Sequence, residues 1–350
     1  MNSNTEMTSL QRVLTALSFR EADRVPFLFL LTTHGARALG MSIRDYFADA
    51  EAIAEAQHLM RQRYRHDCLY AFTYAALETE AWGAEVEYCD DGPPTAGSLV
   101  INRPHDIDRL SVPDILTTPC LARSVRAISL MKDRVKDDAP IIGVVMSPFS
   151  LPVMQMGFAG YLDLIHEDRT RFEQLMAVNQ EFCVRWANAQ LEAGATAICY
   201  FDPLGSTDMI PKALYQELAF PIACRVIGKI GGPVATHFAS GRSLDLSDLV
   251  VRTQTVMVGI SVADDLVEAK RLYRNKVTIF GNLDGISMRR WSEDDVAREV
   301  RNAIGAAAGG GGFVLSDNHG ELHHSVDEVI LDRIADTVHR WGHYPIRLPV

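Results

Sequence analysis

Eight short apolar runs recur along this chain of 350 residues, and a stretch long enough for a helix separates each from the next. Each run is apolar nearly throughout, which is typical of parallel strands covered on their outer face. Eight alternating units without an internal linker predict an α/β fold, a closed (β/α)8 TIM barrel. The predicted strands are residues 25–31, 68–73, 141–146, 197–201, 234–237, 256–261, 277–281 and 313–316.

The segments between these runs carry helix signals. Residues 169–194 place apolar side chains at helical spacing, and Gly194 stands where a glycine commonly ends a helix. Residues 292–308 begin with Ser292 and then acidic residues, which predicts a capped first turn. The glycine run 309–312 comes just before a predicted strand and indicates a turn from helix to strand.

We expect one domain over residues 1–350, with a helical extension at its N-terminus. Residues 88–119 fit the alternation poorly and hold several prolines. They predict a hairpin insertion that covers the mouth of the barrel.

Charge and composition exclude several classes of partner. The formal net charge is −11, and a nucleic-acid backbone would instead require an excess of Lys and Arg. Residues 1–10 are polar and resemble no secretory signal, and the longest apolar run is too short to span a bilayer. The six cysteines are scattered without CxxC spacing and predict reduced core residues. We therefore predict a cytoplasmic protein without a nucleic-acid or membrane partner.

In a barrel of this kind, catalytic groups lie at the carboxyl ends of the strands and in the loops that follow. Reading off those positions collects two histidines and several carboxylates at one rim. The predicted catalytic residues are Asp202, Tyr200 and His34. Asp202 precedes a proline, so it could instead only start a turn. The predicted substrate-binding residues, suited mainly to a flat aromatic ligand, are Phe72, Tyr74, Phe149, Met154 and Asn282.

A metal site is one interpretation of the two histidines. The imidazoles of His237 and His319, from two strand ends, together with a carboxylate could hold Zn²⁺ with an open coordination position. Both could also be hydrogen-bonded pocket histidines, or general acids that need no metal. Glu80 is the predicted third ligand, with Asp317 and Glu321 as alternatives. Glu80 could equally be a carboxylate that stabilises a helix N-terminus.

Over nearly its whole length the chain resembles the uroporphyrinogen-decarboxylase superfamily, and within it the cobamide-dependent methyltransferases. The resemblance rests on motifs that follow one another in the family's order. They are LQRVLTAL (10–17), DRVP (23–26), EAWGAEVE (80–87), SPFSL (147–151), EAGAT (192–196), DPLGS (202–206), GGPVATH (231–237) and IFGNLD (279–284).

Two departures separate the chain from true decarboxylases. Their FMRQAGR segment grips substrate carboxylates, whereas this chain reads LLTTHGAR (30–37) and keeps only Arg37. Their key aspartate in an SDIL motif is replaced at the aligned position by Tyr74. Decarboxylation of a porphyrinogen is therefore not the expected activity.

A third departure concerns the methyltransferases that act on thiols. These members bind zinc through a HisXCys pair and a later Cys. Here His237 matches the histidine, Ala239 replaces the first cysteine, and His319 lies near the second. Imidazole and carboxylate ligands would leave zinc a stronger Lewis acid towards oxygen than thiolates do.

The resemblance then implies a methyltransferase that moves a methyl group from a methoxylated, aromatic compound to the Co(I) of a corrinoid. The corrinoid would be carried by a separate protein that docks at the barrel mouth. Two alternatives stay open: a decarboxylase-like lyase, and a non-catalytic barrel that binds a tetrapyrrole or corrinoid.

Overall fold

The computed structural model describes residues 6–347 and shows an α/β fold built on a parallel sheet. Seven strands form this sheet in the order β1-β4-β5-β6-β7-β8-β9, and every pair in it is parallel. The prediction is confirmed for these seven strands. They are β1 (Leu69–Tyr70), β4 (Ile141–Met146), β5 (Ala197–Phe201), β6 (Val234–His237), β7 (Met257–Gly259), β8 (Thr278–Leu283) and β9 (Phe313–Asp317).

The remaining predicted strand, residues 25–31, is extended but forms only a short bridge to the sheet. Phe27 pairs in parallel with Leu315 of β9, and the N–H of Leu28 donates to the Leu315 carbonyl at 2.8 Å. On its other side, the N–H of Asp67 donates to the Phe27 carbonyl at 2.8 Å. The segment therefore lies between the two edge strands β9 and β1.

Helices cover the outer face of the sheet, as expected for parallel strands. The predicted helix at 169–194 is α9, which Asp168 caps by accepting from the N–H of Arg171, and Gly194 follows it at φ +117°. The helices are α1 (Ser9–Leu17), α2 (His34–Leu39), α3 (Ile43–Ala48), α4 (Ala50–Tyr64), α5 (Leu77–Glu80), α6 (Pro119–Val135), α7 (Pro152–Met156), α8 (Phe158–Glu167), α9 (Arg169–Glu192), α10 (Lys212–Leu214), α11 (Phe220–Ile227), α12 (Ser247–Arg252), α13 (Leu266–Tyr273), α14 (Glu293–Ala307) and α15 (Glu328–Trp341).

One further prediction about local structure is confirmed, the capped start of the helix near Ser292. Ser292 forms a capping box with Asp295 at the start of α14. Strands β2 (Val86–Glu87) and β3 (Thr95–Ala96) pair into a hairpin, which begins two residues before the predicted insertion.

The glycine run between α14 and β9 forms the expected turn. Gly311 adopts φ +70°, and a β-carbon there would lie 2.4 Å from the carbonyl oxygen of Arg20. Only glycine fits this close approach between the turn and the N-terminal segment.

The predicted N-terminal helical extension is α1, which lies at the amino ends of the strands. Its residue Ala16 packs against the apolar side chains on the inner face of the curled sheet, which include Leu28 and Val314. These side chains are called the cluster inside the sheet. Arg12 of α1 and Arg24 each donate to Asp67 at 2.7 Å in a buried ion-pair cluster. Apolar packing of α1 and these buried ion pairs therefore close the fold at the amino ends of the strands.

No helix among residues 6–347 is both long and apolar enough to cross a bilayer. The described cysteines are all free, and four of the six are buried. Residues 1–5, on which part of the interpretation of the N-terminus rests, lie outside the described residues. The cytoplasmic location stays a prediction.

Candidate active site

The loop after β9 folds back across the carboxyl ends of the strands. Its Gly320 carbonyl accepts a hydrogen bond from the hydroxyl of Tyr70 at 2.8 Å, and the N–H of Leu322 donates to the Leu30 carbonyl at 3.0 Å. A β-carbon at Gly320 would lie 2.8 Å from the ring of Phe201. The loop therefore rests on aromatic side chains that rise from inside the sheet.

Two carboxyl groups lie in this loop region. Asp317 accepts from the N–H groups of His319 and Gly320 through Oδ1, while its Oδ2 is buried without a partner. The Glu321 carboxyl accepts a hydrogen bond from the hydroxyl of Thr32. Burial raises the pKa of both carboxyls, and that of Glu321 reaches about 7. Glu321 is therefore a carboxyl that keeps a proton close to neutral pH.

Both predicted metal-binding histidines lie at this same rim. His237 ends β6 and is 1% exposed, with Phe201 and Phe280 packed against its ring. His319 is exposed, and its Nδ1 lies 2.8 Å from the hydroxyl of Ser240. Burial lowers the pKa of His237 to about 3, and the charge of His319 adds to this effect. His237 is therefore neutral at physiological pH.

No zinc centre is assembled among the described residues. The Nδ1 of His237 accepts the N–H of Ala239 at 2.9 Å, so its Nε2 carries the ring proton. That Nε2 is buried without a hydrogen-bond partner. Residues 6–347 contain no group of three His, Cys, Asp or Glu side chains placed to hold a metal ion. The predicted set of His237, His319 and Glu80 is thus not assembled.

Glu80 lies in a different environment from the two histidines. Its carboxylate accepts from the hydroxyl of Tyr74, which in turn accepts from Arg123 at 3.0 Å. Glu80 is also an acidic residue in the first turn of the short helix α5, so its interpretation as a carboxylate near a helix N-terminus stays open. The proposed alternatives for the third ligand, Asp317 and Glu321, are the carboxyls that the structure does place at the rim.

Asp202 is the centre of a buried hydrogen-bond network. Its Oδ1 accepts from the hydroxyls of Ser147 at 2.5 Å and Ser150 at 2.6 Å. Burial raises the pKa of Asp202. Because these serines follow β4 and Asp202 follows β5, the network joins two neighbouring loops. Tyr200 belongs to the outer core between the sheet and its helices, because successive strand residues face opposite sides.

The predicted substrate-binding residues do not form one cluster. Phe72 packs against the cluster inside the sheet, with its ring centroid 5.8 Å from that of Tyr70. Phe149 is fully buried in the outer core against Tyr161. Met154 packs at the edge of that core.

Two other predicted site residues, Asn282 and His34, make different contacts from those described above. Asn282 donates to the carbonyl of Ser261 at 3.1 Å. His34 is buried at the start of α2, with its ring centroid 6.1 Å from that of His324. Burial and the charge of Arg37 lower the pKa of His34 to about 3. His323 is exposed, whereas His324 is only partly exposed.

Sequence reasoning missed Tyr70 and Thr32 as parts of the rim. Tyr70 lies within a predicted strand, and counting alternate residues along that strand would have placed its side chain inside the sheet. Thr32 directly follows the first predicted strand, two residues before the predicted site residue His34.

Comparison with known proteins places the chain in a family. A family model described as uroporphyrinogen decarboxylase (URO-D) matches residues 8–341. The uroporphyrinogen decarboxylase of Syntrophotalea carbinolica is 28% identical over 224 residues, which cover 62% of this chain and 64% of that protein. The methylcobamide:CoM methyltransferase MtbA of Methanosarcina acetivorans is 25% identical over 319 residues, which cover 87% and 91%.

A solved structure shows the same fold. The methyltransferase from Methanosarcina mazei superposes with a TM-score of 0.86 at 17% identity, covering 96% of this chain and 99% of that one. Since the family model spans most of the chain, its membership does not depend on any single relative. The chain belongs to the uroporphyrinogen decarboxylase family.

Proposed function

We propose that this protein is a corrinoid-dependent methyltransferase that takes a methyl group from a methoxylated aromatic compound. The acceptor would be the Co(I) corrinoid of a separate protein. The observation that carries the proposal is Glu321, a carboxyl with a pKa of about 7 beside the aromatic side chains of the rim. Similarity to methyltransferases that act with methylcobamide supports the corrinoid as the second substrate.

The proposal includes a complete eight-stranded barrel. Within residues 25–31, Phe27 and Phe29 belong to the outer core, whereas Leu28 and Leu30 belong to the cluster inside the sheet. This alternation is what a barrel strand would show. Together with the bridge to Leu315, it supports the segment as the strand that closes the barrel. The rim described above would then be the barrel mouth.

The chain's own contribution is to protonate the leaving oxygen. The corrinoid supplies the nucleophile that accepts the methyl group. As the C–O bond breaks, its electron pair stays on the ether oxygen, which takes the proton of Glu321. Solvent then reprotonates the carboxylate. A general acid works best when its pKa lies near the working pH, as it does for Glu321.

Aromatic side chains would hold and orient the ring of the substrate. Tyr70, Phe72 and Phe201 lie against the cluster inside the sheet near this carboxyl. Rings of this kind pack edge to face or offset against a flat ligand. The expected role of these residues is to direct the methoxy group outward, towards the docking corrinoid protein.

Two family activities fit this rim less well. The one arginine retained from the decarboxylase segment, Arg37, donates to the carbonyl oxygens of His324 and Val326. Its guanidinium is therefore already used within the protein. A thiol acceptor would favour a thiolate-bound metal, whereas Ala239 stands where the family's first cysteine ligand would be.

The test is to mix the purified protein with a reduced corrinoid protein and a panel of methoxyaromatics, and to follow the cobalt absorption spectrum. We expect methylation of the corrinoid with at least one ether and release of the corresponding phenol. The same panel without this protein is the control. Decarboxylation of uroporphyrinogen, or corrinoid binding without methyl transfer to it, would contradict the proposal and favour one of the two alternatives.

A further inference from the structure

The wall of the sheet opens between β1 and β4. These strands pair only at Leu69 with Ile141 and at Tyr70 with Ile142, while β4 continues to Met146. Beyond the pairing, the two strands separate towards the carboxyl ends. A short lateral gap therefore lies beside the proposed substrate site.

Two side chains replace the missing strand partner along this gap. Gln190 of α9 accepts from the N–H of Val144 at 3.0 Å and donates to its carbonyl at 2.9 Å. Glu78 of α5 accepts from the N–H of Met146 at 2.9 Å through Oε1. The backbone of β4 is thus satisfied, and the gap stays open because no strand fills it.

One carboxyl oxygen of Glu78 has no hydrogen-bond partner. The residue is 6% exposed, and its Oε2 is buried without a hydrogen-bond partner. No cation among the described residues forms an ion pair with this carboxyl. An unpaired carboxylate is costly to bury, so the group is held as a neutral acid whose Oε2 carries the proton. That proton is a donor without an acceptor.

The titratable groups near Glu78 carry no charge that would ionise its protonated carboxyl. Burial raises the pKa of Glu78 to about 8, and the hydrogen bond from Met146 opposes the shift. The thiol of Cys183 on α9 lies near this carboxyl, and Tyr74 lines the same gap. Burial holds the pKa of both well above their usual values, so both are neutral.

The gap beside Glu78 is small and mainly apolar. It leaves about 20 Å³ of free space, enough for one water-sized group. No Lys or Arg lines it, so a charged substituent would find no counter-ion there. Aromatic residues line it on both sides of the sheet, among them Phe72, Phe201 and Trp186. Because the first two belong to the proposed substrate site, the gap is continuous with that site.

We propose that Glu78 determines substrate specificity by donating a hydrogen bond from Oε2 to one uncharged oxygen on the aromatic substrate. This would be a second ring oxygen, apart from the methoxy oxygen that loses its methyl group. The inference deepens the proposed function and rests on it for the identity of the ligand. Substrates without that oxygen, or with a charged group in its place, bind less tightly.

The experiment measures binding to the protein alone, without a corrinoid protein. The probes are the three methoxyphenol isomers, whose hydroxyl is a water-sized, uncharged second oxygen, with anisole as the reference that lacks it. For the wild type near pH 6.5 we expect at least one isomer to bind about tenfold more tightly than anisole. The preference should shrink above pH 8, where Glu78 loses its proton.

Two substitutions separate the donor from the structural role of Glu78. Glu78→Gln keeps an acceptor for Met146 and offers an amide N–H, so the preference should persist but lose its pH dependence. Glu78→Leu removes the donor and should abolish the preference, with circular dichroism as the folding check. Glu192→Gln, a change at an exposed residue that ends α9, is the matched control and should behave as wild type.

Infrared spectroscopy gives a second readout. The difference between wild type and Glu78→Gln should contain the C=O stretch of a protonated carboxyl, and the favoured isomer should shift that band. No isomer preference, or a band that the probe leaves unmoved, would overturn the inference even if methyl transfer is observed. In that case Oε2 binds only a water. Conversely, a clear preference without methyl transfer would support the binding site and contradict the proposed reaction.

Discussion

Replacing Glu321 with Gln should reduce activity and stabilise the protein at the same time. Burial raises the pKa of Glu321 from its ordinary value of 4.5 to about 7. A shift of this size corresponds to about 3 kcal/mol, and partial exposure of the side chain reduces this to about 2 kcal/mol. Glutamine cannot ionise, so it escapes this penalty while it keeps an oxygen to accept from Thr32.

The direction of the effect depends on pH. Between pH 4.5 and 7 the folded protein retains a proton that the unfolded chain has released, so stability falls as pH rises. Urea unfolding should therefore give equal stabilities for wild type and Glu321→Gln near pH 4.5. Near pH 8 the variant should be more stable by about 2 kcal/mol.

The rate of methyl transfer should change in the opposite sense. A general acid contributes roughly a hundredfold or more, so Glu321→Gln should lower the rate by at least about that factor. The wild-type rate should fall about tenfold per pH unit above 7, and the variant's rate should be flat. Glu192→Gln serves again as the exposed control. A variant with a normal rate and the wild-type pH profile would refute the assignment of Glu321 as the acid.

Three further predictions concern single sites. Asp67→Asn should lower the free energy of unfolding by about 3–5 kcal/mol in urea titrations, because it leaves Arg12 and Arg24 without their buried partner. Gly311→Ala should lower it by more than about 1 kcal/mol, because of the positive φ and the contact with Arg20; a thermal unfolding midpoint equal to wild type would contradict this. Dialysis against a chelator should leave methyl transfer unchanged, because no group of three His, Cys, Asp or Glu side chains among the described residues is placed to hold a metal ion; loss of activity that added zinc restores would show the opposite.

Much of the fold could be predicted because local sequence patterns determine it. Apolar runs located seven strands, and Ser292 marked a helix start through a side-chain cap that depends on its neighbours alone. Residues 25–31 show the limit of this approach. Hydrophobic pattern predicts an extended segment, but how many of its backbone groups pair depends on the two strands on either side, which lie far away in sequence.

The site was predictable only as a set of strand ends. Counting residues after each strand brought His237 and Asp317 to one rim, yet it could not show which nitrogen of His237 is engaged. That depends on the backbone of Ala239, two residues further on. Counting residues also could not show which carboxyl keeps a proton near neutral pH, because burial and hydrogen bonding set the pKa values. Glu78 follows the second predicted strand, but its unpartnered oxygen is visible only in three dimensions.

The buried carboxyls differ between the two ends of the strands, and this difference predicts how stability depends on pH. At the amino end, Asp67 is paired with arginines that lower its pKa against the effect of burial, so it stabilises the fold above its unfolded pKa. At the carboxyl end, Glu321 and Glu78 have no cation among the described residues, and their pKa values rise to about 7 and 8.

Acid therefore removes the contribution of Asp67, and alkali ionises the two unpaired groups. Burial also lowers the pKa values of His34 and His237 to about 3, so below pH 6.5 the unfolded chain binds protons that these folded residues do not, and stability falls as pH falls. Stability measured by urea unfolding should therefore be greatest near pH 6.5, between the protonation of the unfolded histidines and the ionisation of the rim carboxyls. Stability that increases steadily up to pH 9 would mean that the rim carboxyls are already ionised in the folded protein, and neither could then donate a proton to a substrate.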